Sequence, residues 1–215
     1  MTRPGAAGAR DVAELRARGG EAQHHPAIRI ETLPPVPDHL ASLASCDRLL
    51  LTSSRALEGL LGTGRAPRAA LTWAVGAATA AAAAARGLAV TRTGRGDGLA
   101  SLIEDILATE EVAGLEVLWP HGDLSDPDVA RPLVEAGARL EGRVVYRTRD
   151  AYRDSPPPAE FLSRVTGVLF TSPSAVENLF GVLDAEQRRR FVREVRYEAI
   201  GPTTLAACRR WFAEI

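Results

Sequence analysis

One stretch of this chain occurs twice. Leu51-Thr52-Ser53-Ser54-Arg55-Ala56-Leu57-Glu58-Gly59-Leu60-Leu61-Gly62 returns at an offset of 119 (52 to 171) as Phe170-Thr171-Ser172-Pro173-Ser174-Ala175-Val176-Glu177-Asn178-Leu179-Phe180-Gly181. Ala74-Val75-Gly76-Ala77-Ala78-Thr79 returns at an offset of 125 (76 to 201) as Ala199-Ile200-Gly201-Pro202-Thr203-Thr204. Two matched segments in the same order mark a duplicated unit of roughly 120 residues. Both read as strand, small polar turn, helix start. In α/β proteins that form places backbone N–H groups at the carboxyl ends of strands, where anionic ligands bind.

The length of 215 residues then divides into two domains of about 100 each. A chain 46% hydrophobic and 25% charged has apolar surface enough for cores in both. The net charge of −1 supplies no basic field for nucleic acid. All 26 basic residues are arginine, so every cation is a planar fork suited to carboxylate or phosphate. Cys46 and Cys208 stand far apart in no metal-like spacing, which fits reduced thiols in the cytoplasm. Cys208 shares an apolar helix face with Leu205, Trp211 and Phe212 and is expected to pack there. No run approaches the length of a membrane span, and the N-terminus lacks the apolar core of a signal peptide.

Strands are predicted at Ile28–Leu33, Arg48–Thr52, Thr72–Val75, Leu88–Thr91, Glu116–Trp119, Arg143–Thr148, Val168–Thr171 and Glu198–Ile200, as short apolar runs ended by turn residues. Helices fall between them. Leu99, Leu102, Ile103, Ile106 and Leu107 have helical spacing. The alanine-rich run Ala77–Arg86 reads as a helix packed on a sheet. Asp184 is placed to cap a helix running through Val192. Strands alternating with helices imply parallel sheets covered on both faces. The proline-rich stretches Leu33-Pro34-Pro35-Val36-Pro37 and Ser155-Pro156-Pro157-Pro158 read as crossings between domains. The expected organisation is a discontinuous first domain, 1–33 with 156–215, a second domain, 38–146, and connections at 34–37 and 147–155. The predicted fold class is α/β, with two flavodoxin- or Rossmann-like parallel-sheet domains from an internal duplication.

The repeat extends further. Asp11-Val12-Ala13 to Gly19 resembles Asp128-Val129-Ala130 to Gly137. Ile28-Arg29 then matches Tyr146-Arg147 at an offset of 118 (29 to 147). A tyrosine in one copy faces an isoleucine in the other, which marks a place where the halves stopped being equivalent.

Ser53 and Ser172 sit where strands end and helices begin. Ser172-Pro173 reads as N-cap and first helical proline, and Ser174 with Glu177 has capping-box spacing. Such serines cap helices equally well with or without a ligand. Gly76 and Gly201 open the matching turns, so four turns in paired positions would line a cleft with N–H donors and hydroxyls. Gly94-Arg95-Gly96-Asp97-Gly98 follows a strand and opens a helix. It lacks the spacing and partner acid of a dinucleotide loop and reads as an anion-facing loop. His121, in Trp119-Pro120-His121-Gly122-Asp123, ends a strand at the same sheet edge, to meet an acidic ligand or to stand in an exposed loop. His24 and His25 suggest only a polar turn. No metal-ligand spacing, catalytic triad or P-loop is present, so catalysis would work without cofactor or metal, by positioning and hydrogen bonding.

Thr171-Ser172-Pro173-Ser174-Ala175-Val176 followed by Ala199-Ile200-Gly201-Pro202-Thr203-Thr204 resembles the uroporphyrinogen-III synthase family. So do Val144-Val145-Tyr146-Arg147-Thr148, Pro120-His121-Gly122-Asp123 and the opening Thr2-Arg3-Pro4. The resemblance implies two α/β domains joined by a two-stranded connection, with the active site in the cleft between them. It implies cyclisation of hydroxymethylbilane, a linear tetrapyrrole rich in carboxylates, with loss of water and inversion of ring D, by a cofactor-free cytoplasmic monomer. Tyr146 matches the family's important tyrosine and would help the hydroxyl leave. Thr79, Thr203, Ser53 and Ser172 match ligand-contacting turns, and Thr52, Gly76, Gly98, His121, Gly122, Thr171, Gly201 and Thr204 complete the expected substrate-binding set. Ser54 stands where the family has proline, and Ala78 stands opposite Thr203. Only Met1 precedes Thr2, where the family has a first strand, and the chain stops short of a last strand and helix, so the first domain is expected to lack two strands. Two other readings compete: a non-catalytic tetrapyrrole- or anion-binding module on the same fold, and a two-lobed solute-binding protein, which the missing signal peptide disfavours.

Overall fold

The structure, a computed structural model, describes residues 2–34, 36–62, 64, 66, 71–95 and 97–213; Gly96 of the glycine-rich loop lies outside them. Helix α1 (Gly5–Ala17) leads to strand β1 (Ile28–Thr32). There follow α2 (Pro37–Ser45), β2 (Arg48–Leu51), α3 (Ser54–Leu61), β3 (Leu71–Ala74), α4 (Ala77–Ala85), β4 (Ala89–Thr93), α5 (Leu99–Leu107) and β5 (Glu116–Gly122). A short 3₁₀ turn runs into α6 (Arg131–Glu135) and the long strand β6 (Arg139–Asp150). The chain closes with α7 (Ala159–Arg164), β7 (Gly167–Phe170), α8 (Pro173–Val182), α9 (Ala185–Glu194), β8 (Arg196–Ala199) and α10 (Pro202–Ala213). The fold is α/β, and the strand pairs β2–β3, β2–β5, β3–β4, β5–β6 and β7–β8 are all parallel.

The chain divides into two compact units, Met1–Ile30 with Thr148–Ile215, and Glu31–Arg147. It passes from one to the other inside β1 and inside β6. The proline-rich stretches are not the crossings: Pro156–Pro158 lie wholly within the first unit. A paired strand holds its course across a boundary through backbone hydrogen bonds that proline cannot donate.

The second unit is built on the strand order β6-β5-β2-β3-β4, with β1 beside β6. Its apolar runs are buried on both faces, and the two-residue period of a strand separates them. Leu49, Leu51 and Leu118 pack with Leu43, Leu57 and Leu60 on one face. Leu50, Val117 and Trp119 pack with Trp73, Leu102 and Ile103 on the other. β5 continues three residues beyond its expected end at Trp119, through Pro120. Glu116 accepts from Asp47 of the β2 side, so Pro120, four residues on, turns its missing donor the same way. There the register with β2 has already stopped at Leu118, and no partner is deprived.

In the first unit β7 and β8 form a two-stranded sheet under a core of Phe170, Val176, Leu179, Phe180, Phe191 and Cys208. Cys208 is fully buried there, as its helix face foretold. The ring of Trp211 stacks on Phe180 at 5.1 Å. The Glu177 carboxylate does not cap α8. It accepts from Arg210 (2.7 Å) and from Trp211 Nε1 (2.8 Å), tying α10 to α8, and the cap is Ser172. The His24-His25 segment is also more than a turn. His24 Nε2 lies 2.7 Å from the carbonyl of Arg3, and His25 stacks on Phe161 at 3.9 Å. Tyr152, 4% exposed, donates its hydroxyl to the His25 carbonyl at 2.7 Å, and burial pushes its pKa well above the usual tyrosine value. Tyr152→Phe is expected to cost about 1–2 kcal/mol, read as a lower urea midpoint; an unchanged midpoint would show that this bond contributes nothing net.

Positions matched by the sequence repeat meet one packing problem in two ways. Gly59 of α3 lies so close to β6 that a Cβ would collide with the carbonyl oxygen and Cβ of Val145. Its match at an offset of 119 is Asn178 of α8, and the match of Val145 at 118 is Ala27. Asn178 Nδ2 donates to the Ala27 carbonyl at 2.8 Å.

Candidate active site

In the second unit the chain direction across the sheet reverses between β2 and β5. Strands β2, β3 and β4 step outward one way, while β5 and β6 lie on the other side. A crevice opens at the carboxyl ends of the strands at such a reversal. Thr52 and Ser53 follow β2 and are half-buried. Ser53 is the N-cap of α3, its Oγ accepting from the Ala56 N–H at 3.2 Å, and its own O–H stays free to donate. Gly76 is the N-cap of α4 in extended backbone. Thr79, one turn in, is 7% exposed and faces its own core. Gly98 opens α5 at φ +120°, a conformation that favours glycine. Three helix N-termini therefore end on one sheet edge, each presenting N–H donors and a partial positive charge.

The other side of the reversal carries His121, Gly122 and Tyr146. His121 and Gly122 are the last two residues of β5, not a loop after it. The His121 ring lies against Trp119, centroids 4.5 Å apart, and its Nδ1 is 2.8 Å from the Gly122 carbonyl oxygen. Since a carbonyl only accepts, Nδ1 carries the proton in this contact. Opposite, β6 breaks register. His121 pairs with Val144, but Gly122 pairs with Tyr146, so Val145 is an extra residue. Bulges of this kind re-aim the side chains beside them. Here the bulge sets the half-buried phenol of Tyr146 over Gly122, and Asp123 N–H donates to the Tyr146 carbonyl at 3.1 Å. Sequence reasoning found Tyr146 and Gly122 but not their contact, because the register shift that makes it has no signature in residue type.

The remaining predicted residues belong to the first unit. Thr171 and Ser172 follow β7, and Ser172 caps α8 by accepting from the Ala175 N–H at 3.3 Å. Gly201 turns at φ +84° after β8. Thr203 is exposed, while Thr204 is 2% exposed and turned into the core. Thr79 and Thr204 match in the repeat and are both buried, which leaves Thr203 as the outward hydroxyl. A trench of about 990 Å³, lined by Glu21, Phe161, Val168 and Tyr197 among others, opens on the same unit, and none of the predicted site residues lines it. Among the described residues no cluster of His, Cys, Asp or Glu is disposed to hold a metal ion.

The family model described as Uroporphyrinogen-III synthase HemD matches residues 9–213. The chain belongs to the uroporphyrinogen-III synthase family. A protein of Methanothermobacter thermautotrophicus, named as a putative uroporphyrinogen-III synthase, is 30% identical over 231 aligned positions, covering 95% of this chain and 86% of that protein. The wild-type uroporphyrinogen III synthase of Thermus thermophilus superposes with a TM-score of 0.52 at 26% identity, over 96% of this chain and 86% of that one. The Helicobacter pylori uroporphyrinogen-III synthetase gives a TM-score of 0.60 at 17% identity, over 87% and 82%, a likeness of fold. A sheet edge of helix N-termini and hydroxyls with a phenol beside it is chemically able to hold anions and to donate a hydrogen bond. No helix among the described residues is long and apolar enough to cross a membrane.

Proposed function

We infer that this chain is a uroporphyrinogen-III synthase, a lyase that cyclises hydroxymethylbilane with loss of water and inversion of ring D. The observation that carries the reading is the match of the synthase family along almost the whole chain, with Tyr146 at the carboxyl edge of the sheet where the chain direction reverses. In the reaction the terminal hydroxyl of the bilane leaves as water, and an azafulvene cation remains. The substituted α-carbon of ring D attacks that cation to give a spiro intermediate. Its bond to the methylene of ring C then breaks, ring D turns over, and its free α-carbon bonds that methylene with loss of a proton, which balances the one that left with the hydroxyl. Tyr146 assists the first step as hydrogen-bond donor to the leaving oxygen, directly or through one water. Ser53, His121 and the backbone N–H groups after Gly76 and Gly98 hold carboxylates in the second unit. Thr171, Ser172, Gly201 and Thr203 do so in the first. The chain acts on this small molecule as a cytoplasmic monomer, without nucleic acid and without cofactor.

The test is a coupled assay in which hydroxymethylbilane is generated enzymatically, the products are oxidised, and isomers I and III are separated. Isomer I forms spontaneously. Isomer III above that background is the expected result; isomer I alone from folded protein would turn the reading toward a binding module. Because the contacts proposed are to carboxylates, product affinity is expected to fall when salt is raised from about 0.05 M to 0.5 M, as the screening length shortens. A titration showing salt-independent affinity would contradict the anion-binding edge.

A further inference from the structure

Gly122 is not a glycine for the sake of its backbone. Its φ is not positive, unlike those of Gly98 and Gly201, so any residue could adopt its conformation. It is buried, and what excludes a side chain is the Tyr146 ring. A Cβ on Gly122 would lie 2.5 Å from both Cε2 and Cζ of Tyr146 and 2.8 Å from its hydroxyl oxygen. Carbon atoms do not approach that closely, so the ring, which is the far end of its side chain, would have to move. Its own strand is fixed on both sides of the bulge, by Leu33 N–H donating to the Val145 carbonyl at 3.0 Å and by Asp123 N–H donating to the Tyr146 carbonyl at 3.1 Å. Gly59 closes on the backbone of Val145 from the helix side. The neighbouring position repeats the arrangement with the strands exchanged: His121 of β5 stands over Gly142 of β6, where a Cβ would lie 3.2 Å from Nε2.

We propose that Gly122 is a positioning residue for Tyr146. Its missing side chain is the space the phenol fills, and it fixes where the hydroxyl points. The proposal rests on the role given to Tyr146 above. A side chain at Gly122 would swing the ring away from the sheet edge and carry its hydroxyl with it. Displacements of that size at a reacting group cost rate, not binding.

The test combines Gly122→Ala, Tyr146→Phe and the double variant with a direct view of the ring. Gly122→Ala is expected to lower kcat by about 10- to 100-fold with KM nearly unchanged. In the Tyr146→Phe background the same change is expected to cost less than about twofold, since residues acting through one group are not additive. The chain has three tyrosines. In protein labelled with ¹³C at tyrosine Cζ, the Tyr146 signal is therefore identified by its loss in Tyr146→Phe. Gly122→Ala should move that signal and leave those of Tyr152 and Tyr197 in place. An unmoved signal, or an equal loss of kcat in both backgrounds, would overturn the proposal. If Gly122→Ala fails to fold, Gly122→Ala/Tyr146→Ala decides: recovery of folding supports the clash, and continued failure overturns it. Slow Tyr146→Phe with normal Gly122→Ala defeats this inference alone. Normal turnover of Tyr146→Phe defeats the role of Tyr146 and the inference with it.

Discussion

Tyr146→Phe is expected to slow formation of isomer III by about 10²-fold or more, with thermal melting unchanged. The phenol stands beside the end of β5 with its ring over Gly122, half-buried. Phenylalanine fills the same volume, so what is lost is the hydroxyl and the hydrogen bond it can donate. Departure of hydroxide from the bilane is unfavourable in water, and a positioned donor acts on the charge that develops in that step alone. The loss therefore falls on kcat, and KM should move little. The check is single-turnover chromatography of the two isomers against the spontaneous rate, with melting followed in parallel. Near-parental turnover would remove Tyr146 from the chemistry and pass the task to water held by the helix N-termini.

The largest expected effect on stability is at Glu110. Its carboxylate accepts from Arg48 Nε at 2.9 Å and from a terminal nitrogen of the same guanidinium, and from Trp73 Nε1 at 3.2 Å. Trp73 is fully buried, and the Arg48 guanidinium lies 5.6 Å from its ring centroid. The Arg48 and Glu110 side chains are only 19% and 23% exposed. Glu110→Ala leaves an indole N–H without its acceptor in the core and an arginine largely withdrawn from water without its partner. Removing one member of such a group costs about 2–4 kcal/mol. Urea unfolding should show a lower midpoint at unchanged slope, and Glu110→Gln, which keeps one acceptor, should lose less. Equal midpoints for parent and Glu110→Ala would mean that water replaces the carboxylate.

The strands were legible because each is a short apolar run closed by turn residues, and all eight lie where such runs occur. Their ends were less so. Pro120 signals a stop by composition, yet β5 runs past it because the side of the strand that lacks a donor faces no partner. The helix starts at Ser53 and Ser172 were readable from cap chemistry, whereas the pairing of Ser174 with Glu177 was not a cap at all. Glu177 serves residues 33 and 34 positions away, beyond the reach of local spacing. At the site the repeat singled out Tyr146, but nothing in the sequence shows that Val145 is an extra residue. Without that bulge Gly122 would face Val145, and Tyr146 would point to the other side of the sheet. Thr203 and Thr204 are adjacent and alike in chemistry, and only the helix rotation of α10 distinguishes the exposed hydroxyl from the buried one.

The contact made by Gly59 in one unit and by Asn178 in the other bears on how substitutions in this chain are to be judged. At Gly59 anything added meets the backbone of Val145; at Asn178 anything taken away removes a donor from the Ala27 carbonyl. The two positions descend from one under the duplication we propose, yet their tolerances have opposite sign. Residues transplanted from one half to the other would fail in each direction for a different reason. The sequence repeat that makes the fold easy to recognise is thus a poor guide to which residues either half can accept.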